Sequence, residues 1–245
     1  MIEKRIDHVV AWLREQVEIS HTNGILVGLS GGIDSSVVAC LIKKAFPNNS
    51  IGVILPCKSN DKDREDGEAV AKACNLDYIE VDLTEAHGNI FLKVNNALGD
   101  RAQKRRLTDA NLRARLRMSA LYTVGNDMGY LVAGTDNAAE LLTGYFTKYG
   151  DGGVDILPLA RLTKREVFEW AEYLGVPQSV IDRKPSAGLW EGQTDEEEMG
   201  VTYDAIDAYL EGNEVSEEDK IVIERMNRVT EHKRVMPPMP APFID

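Results

Sequence analysis

Short apolar runs alternate with amphipathic stretches along most of the chain. An amphipathic helix is predicted first, because Ile6, Val10, Leu13 and Val17 recur at helical spacing on one face. Strands are predicted where apolar residues run together between turn residues, at residues 25–29, 51–55, 130–135 and 154–159, and where apolar and polar residues alternate, at residues 78–83. Helices separate these runs, so we expect an α/β fold: a doubly wound parallel sheet of about five strands, followed by C-terminal helices.

The C-terminal third departs from this alternation. Residues 184–200 show no clear period, and a run of that length in a folded chain is either disordered or a functional lid. We expect a lid that orders on a ligand, because Trp190 and several glycines lie within it. Two helices are predicted after it, at residues 199–210 and 217–230. We find no internal repeat and expect a single domain over residues 1–245.

The stretch Gly24 to Ser36 reads G-I-L-V-G-L-S-G-G-I-D-S-S. It predicts a buried strand, a tight glycine turn and the start of a helix, an arrangement whose backbone N–H groups and helix dipole bind phosphate. Gly31 and Gly32 let the backbone approach the anion closely. Because bare phosphate would repel a carboxylate, the natural role of Asp34 is to hold Mg²⁺. The alternative is a glycine turn with an ordinary aspartate N-cap.

Composition narrows the class of protein. The chain has 28 Lys and Arg against 40 Asp and Glu, a net charge of −12, which argues against broad binding to nucleic acid or anionic membranes but leaves room for a local basic site. It has no uninterrupted apolar run of membrane-spanning length, and we expect a cytoplasmic protein. The three cysteines form no C-x-x-C pair, so neither a zinc site nor a disulfide framework is expected.

A second dense polar stretch begins at Gly134, directly after the fourth predicted strand. It carries Thr135, Glu140, Lys148 and Asp155 around a glycine turn. Ligands of doubly wound sheets bind beyond the carboxyl ends of the strands, where Thr135 and the phosphate-type loop both lie. An ordinary polar loop with an N-capped helix is the alternative, but it leaves the gathering of these four side chains unexplained.

Five separated motifs carry a resemblance to a known family. S-G-G-I-D-S resembles the pyrophosphate-binding loop of the ATP pyrophosphatase superfamily, whose members cleave ATP between its α and β phosphates. That string, together with G-T-D-N-A-A-E, N-L-R-A-R-L-R-M, K-P-S-A-G-L-W and E-H-K-R, resembles the ammonia-dependent NAD synthetases. The motifs occur in the right order over nearly the whole chain. The resemblance implies an adenine nucleotide alpha hydrolase-like fold with no glutaminase domain.

The resemblance also implies roles for individual residues. The ATP contacts it implies are Gly28, Leu29, Ser30, Gly31, Gly32, Ile33, Asp34, Ser35, Thr135, Lys164 and Ser186. The Mg²⁺ ligands are Asp34 and Glu140, and the contacts to deamido-NAD are Arg115, Lys148, Asp155, His232 and Lys233. Asp34 and Lys164 take the catalytic roles. For His232 alone, a solvated histidine at a helix end is the alternative.

The implied reaction is the ATP-dependent amidation of deamido-NAD to NAD, the last step of NAD biosynthesis. The nicotinate carboxylate attacks the α-phosphorus, pyrophosphate leaves, and ammonia displaces AMP from the acyl-adenylate. The resemblance also implies a homodimer with the dinucleotide near its interface. A tRNA-modifying enzyme of the same superfamily is the nearest alternative, and it should be basic or carry an RNA-binding appendage, which this acidic chain does not show.

Overall fold

The computed structural model describes residues 1–103, 105–185 and 194–243, without the side chain of Arg105. Its helices are α1 (Ile2–Ser20), α2 (Ile33–Ala45), α3 (Asp61–Ala73), α4 (Thr84–Leu98), α5 (Arg105–Met128), α6 (Ala138–Thr143), α7 (Lys164–Leu174), α8 (Gln178–Ile181), α9 (Asp195–Met199), α10 (Tyr203–Leu210) and α11 (Glu217–Val229). Its strands are β1 (Gly24–Gly28), β2 (Ser50–Ile54), β3 (Tyr78–Glu80) and β4 (Tyr130–Ala133). No helix of the described residues is long and apolar enough to cross a membrane.

The four strands form one parallel sheet in the order β3-β2-β1-β4. Leu26 of β1 lies between Ile51 of β2 and Val132 of β4. The strands β2 and β3 are therefore added on one side of β1. The chain then crosses over the sheet, and β4 pairs with the other side of β1. This reversal opens a crevice beyond the carboxyl ends of β1 and β4, the usual ligand position in such sheets. The predicted parallel α/β fold is confirmed.

The fifth predicted strand, at residues 154–159, is reduced to one parallel bridge between Ile156 and Ala133. A ladder cannot extend far there, because Pro158 has no N–H to donate. The side chain of Asp155 also takes the place of a backbone acceptor, since its Oδ2 accepts a hydrogen bond from the Val132 N–H at 2.8 Å. Residues 154–159 therefore run beside β4 and pair with it at one position, but they do not form a fifth strand of the sheet.

Apolar side chains pack on both faces of the sheet. One core joins α1, α2 and α7, with Leu13, Leu41 and Trp170 fully buried. The other face of β1 and β4 presents Leu26 and Val132 to α5. Helices cover both faces of β1, β2 and β4, so these strands read as continuous apolar runs, whereas the exposed edge strand β3 belongs to an alternating stretch.

A third apolar cluster joins α6, α10 and α11 beside the sheet, and Ile206 and Ile223 are fully buried in it. The helix predicted at residues 199–210 is wrong in detail. Gly200 ends α9 in the left-handed conformation, with φ of +73°, and α10 begins only at Tyr203. The predicted unstructured stretch 184–200 therefore contains α9, while residues 186–193 lie outside the described residues and the lid stays a prediction.

The basic sequence of residues 99–108 predicts a solvated connector, followed by a helix that starts at Asp109, but the segment is partly helical. A short 3₁₀ turn occupies Gly99–Arg101, and α5 begins at Arg105 rather than at Asp109. Its arginines and lysine reduce its apolar periodicity, the signal from which a helix start is read.

Candidate active site

The glycine loop between β1 and α2 is closely fitted to its surroundings. Gly31 has a φ of +74°, and a Cβ at this position would lie 2.6 Å from the carbonyl oxygen of Asp63. Only glycine fits both the left-handed backbone and this contact. Gly32 caps α2 without a side-chain hydrogen bond, so the N-terminal end of the helix faces the crevice. This is the expected architecture of an anion site.

The serine hydroxyls of the loop are engaged within it. Ser35 and Ser36 donate to the carbonyl oxygen of Gly32 at 2.9 and 2.7 Å, and Ser30 and Ser35 share a hydrogen bond of 3.1 Å. In the sequence alone, serine hydroxyls beside a phosphate-type loop predict additional donors for the anion. In the structure, Ser35 and Ser36 hold the shape of the turn, which leaves the backbone N–H groups as the principal donors.

A cavity of about 480 Å³ opens above this loop, within the size range of small-molecule sites. The predicted ATP contacts that line it are Gly28, Leu29, Ser30, Gly32, Ile33, Asp34, Ser35, Thr135 and Lys164. Gly31 does not line the cavity, and Ser186 lies outside the described residues. The glycine loop, Thr135 and Lys164 thus meet at one edge of the sheet although Thr135 lies 100 positions after Ser35, because Thr135 follows β4 and Lys164 begins α7.

The central contact of the cavity is an ionic cluster of Asp34, Lys164 and Glu140. The Lys164 Nζ donates to Asp34 Oδ2 at 2.6 Å and lies 3.6 Å from Glu140 Oε1. The other Asp34 oxygen accepts from the Asn137 amide at 2.9 Å. Asn137 in turn forms a capping box with Glu140 at the start of α6, which fixes the orientation of both carboxylates.

The charges of this cluster depend on one another. Burial and the neighbouring charge of Asp34 raise the pKa of Glu140 to about 8. Burial alone would lower the pKa of Lys164, but Asp34 and Glu140 outweigh it, so the pKa is raised and Lys164 stays charged. Two carboxylates that share one buried ammonium favour any further positive charge brought to the same place.

The carboxylates fit a divalent cation that completes its shell elsewhere. Among the described residues, no group of three His, Cys, Asp or Glu side chains could hold a metal alone. Mg²⁺ usually takes only one or two protein carboxylates and completes its octahedron with phosphate oxygens and waters. Asp34 and Glu140, beside an anion loop, match that requirement.

Four of the five residues expected to contact deamido-NAD do not line the cavity, and among these four only Arg115 lies on α5. The exposed Arg115 donates from Nε to the Lys148 carbonyl oxygen at 3.3 Å, and Lys148 Nζ donates to the His232 carbonyl oxygen. Asp155 accepts from the Tyr122 hydroxyl of α5 at 2.8 Å. Lys233 does line the cavity, where its Nζ donates to the carbonyl oxygen of Phe146 at 2.5 Å. Arg115, Lys148 and His232 form a connected basic surface beside the cavity.

Sequence reasoning missed Tyr203 and Asp207, two residues of α10 that contact Lys164 outside the cavity. The buried Asp207 of α10 accepts from the Lys164 and Arg165 backbone N–H groups at 3.0 and 2.9 Å. The Tyr203 ring packs against the Lys164 ammonium, and its hydroxyl donates to Asp195 at 3.0 Å. The spacing of Tyr203 and Asp207, one helical turn apart, was the available signal, but it does not say what they face.

Comparisons with known proteins converge on one family. A sequence profile described as NAD synthase matches residues 5–237. An NH(3)-dependent NAD(+) synthetase from Alkaliphilus metalliredigens is 63% identical, over 98% of each chain. The solved NMN synthetase of Francisella tularensis is 38% identical with a TM-score of 0.92, over 98% of this chain and 99% of that one. An NH3-dependent NAD synthetase from Campylobacter jejuni has 26% identity and a TM-score of 0.80, over 98% and 99%.

Proposed function

Because this chain belongs to the NAD synthase family, we propose that its crevice carries out the ATP-dependent amidation of deamido-NAD by ammonia. The products are NAD, AMP and pyrophosphate. The single observation that carries the chemistry is Lys164 Nζ, held 2.6 Å from Asp34 at the mouth of the glycine loop. A buried cation beside backbone N–H donors suits a pyrophosphate leaving group, whose charge grows as the bond to the α-phosphorus breaks.

Two steps follow from this placement. A carboxylate oxygen of deamido-NAD attacks the α-phosphorus of ATP, and the bond from that phosphorus to the bridging oxygen of pyrophosphate breaks. The loop N–H groups and Lys164 stabilise the departing pyrophosphate. Ammonia then attacks the acyl carbon, AMP leaves with the electrons of the acyl–oxygen bond, and the nitrogen loses a proton to solvent. The protein mainly positions the reactants and stabilises charge.

We propose Asp34 and Glu140 as the protein ligands of Mg²⁺. When bound, the cation neutralises phosphate charge and polarises the reacting phosphoryl group. The raised pKa of Glu140 supports this assignment, because a second positive charge would relieve the crowding of two carboxylates around Lys164.

We further infer that two copies of the chain associate through α4 and the start of α5. Ile90, Val94 and Leu98 recur at four-residue spacing on α4 and are 41%, 45% and 39% exposed, and Leu107 of α5 is 55% exposed. A second copy that covers this apolar face would lie beside the cavity, because Leu107 also lines it. Sedimentation at micromolar concentration should give twice the chain mass of 27.2 kDa, and a monomer would contradict the inference.

We infer a cytoplasmic location, where ATP is available.

The identity of the acid substrate is the first thing to test. The NMN synthetase relative favours a second candidate, nicotinic acid mononucleotide, which lacks the adenylate half of deamido-NAD. We expect the higher kcat/KM with deamido-NAD, because the basic surface of Arg115 and Lys148 extends beyond the cavity and offers the longer substrate more contacts. Product formation from each acid, with ATP, Mg²⁺ and ammonium, is the measurement. A preference for the mononucleotide would reassign the substrate, and no product from either would refute the amidation.

Replacing Arg115 with alanine should raise the KM for deamido-NAD about tenfold and leave the KM for ATP nearly unchanged, since a charge-assisted contact contributes roughly that much. The reason is its position on α5, where Arg115 does not itself line the cavity although its neighbour Ala114 does. Arg14→Ala, on α1, is the matched control, because Arg14 is also an exposed arginine whose Nε donates to a carbonyl oxygen, that of Ala45, and it does not line the cavity. A defect confined to the KM for ATP would contradict the assignment of the surface.

A further inference from the structure

Tyr203 lies directly behind the lysine of the cluster, at the first residue of α10. It is only 5% exposed, and the Lys164 Nζ is 4.8 Å from the centroid of its ring. We infer that Tyr203 is a positioning residue: the face of its ring holds the Lys164 ammonium between Asp34 and Glu140, at the place where pyrophosphate departs. Tyr203 does not line the cavity, so it acts on the reaction through Lys164. The inference deepens the proposed function and rests on it for the identity of the leaving group.

The ring face is a suitable partner for this cation. An ammonium over an aromatic face is attracted by the negative charge at the ring centre, most strongly where water is excluded. The Lys164 side chain is only 4% exposed, which places the pair in that regime. Its two carboxylates lie at unequal distances, 2.6 Å to Asp34 and 3.6 Å to Glu140. A third, non-ionic contact therefore restrains the ammonium without adding a carboxylate that would repel phosphate.

Helix α10 contacts both the backbone N–H and the side-chain ammonium of Lys164. Asp207, one turn along α10 from Tyr203, accepts the Lys164 backbone N–H at 3.0 Å, while Tyr203 packs against the ammonium. The hydroxyl of Tyr203 donates to Asp195 at 3.0 Å and lies 3.5 Å from Glu140 Oε1. The tyrosine thus has two separable parts, a ring that faces the cation and a hydroxyl that faces carboxylates.

Substitutions at residue 203 separate these parts. Tyr203→Phe removes only the hydroxyl, and Tyr203→Leu also removes the ring. A series of mono-, di- and trifluorophenylalanine at residue 203 keeps the shape of phenylalanine while it progressively weakens the negative face of the ring. Tyr209→Leu is the matched control on the same helix, since the partner of the Tyr209 hydroxyl in the described part of the chain is Glu224, at 3.5 Å, and not a residue of the ionic cluster.

The readouts are the Kd for inorganic pyrophosphate with Mg²⁺, kcat under saturating substrates, and the melting temperature. We expect the phenylalanine variant to stay within about threefold of wild type in Kd and kcat. With each added fluorine, the Kd for pyrophosphate should rise and kcat should fall stepwise from the values of the phenylalanine variant. In Tyr203→Leu, the Kd should rise and kcat should fall about tenfold from wild type. The melting temperatures of the fluorinated series should not differ, and Tyr209→Leu should match wild type in Kd and kcat.

A flat fluorinated series, or equal Kd values for Tyr203→Leu and wild type, would overturn the role of the ring. If Tyr203→Leu fails to fold, the fluorinated series still decides. Pyrophosphate binding also separates this inference from the proposed function. A graded Kd without NAD formation supports the Tyr203 contact and contradicts the amidation, whereas NAD formation with a flat Kd series does the reverse.

Discussion

Replacing Asp34 with asparagine is expected to lower kcat by at least about a hundredfold in a chain that still folds, the scale seen when one transition-state contact is removed. The side chain accepts hydrogen bonds from both Lys164 and Asn137, so it fixes the ammonium and is a proposed ligand of Mg²⁺. Asparagine keeps the size of the side chain and loses its charge. Lys164 retains Glu140 as a partner, which limits the cost to stability.

The measurement for Asp34→Asn is steady-state turnover across a Mg²⁺ titration, with the melting temperature followed in parallel. Asp219→Asn is the control, because Asp219 is also a first-turn carboxylate, of α11, and within the described ranges its hydrogen bonds go to its own N-cap Ser216. Turnover close to wild type with an unchanged Mg²⁺ dependence would show that the reaction does not use this carboxylate. An unfolded variant would instead mean that Asp34 is needed for structure.

The sequence predicts the sheet well because its signals are local. Strands β1, β2 and β4 are apolar runs bounded by turn residues and β3 lies in an alternating stretch, while Thr163 with Glu166 three residues later is a capping-box pattern that marks the start of α7. The errors arise where one residue overrides a pattern. Pro158 limits the fifth run to a single bridge, and Gly200 divides a predicted helix in two.

The site is predictable only in part, because its contacts join distant segments. The glycine loop can be read from the sequence as an anion site, and the strand ends bring Thr135 near it. That Lys164 reaches across to Asp34, 130 positions away, follows from how α7 packs on α2, which no local pattern encodes. Its assignment came from the resemblance to the family, and the ring of Tyr203 behind it emerged only from the structure.

The three cysteines bear on the source of nitrogen, because releasing ammonia from glutamine usually requires an activated cysteine with a histidine partner. Burial raises the pKa of Cys57, and a hydrogen bond with Cys74, together with burial, raises that of Cys40. Cys74 has a lowered pKa, because Cys40 donates to it, but it caps the C-terminal end of α3. That end lies at the amino edge of the parallel sheet, opposite the crevice.

The 245-residue chain alone should therefore form NAD with ammonium and fail with glutamine, as expected for a synthetase domain that works without a glutaminase partner. The histidines do not supply a glutaminase base: His8 and His21 are exposed on α1 or at its end, His232 lies on the basic surface, and His87 is fully buried. Free ammonia is the nucleophile, so the rate at subsaturating ammonium should rise with pH through the neutral range. NAD formation with each nitrogen source is the measurement, and a glutaminase-free preparation is the control. Robust synthesis from glutamine would reveal a nucleophile that these contacts do not show.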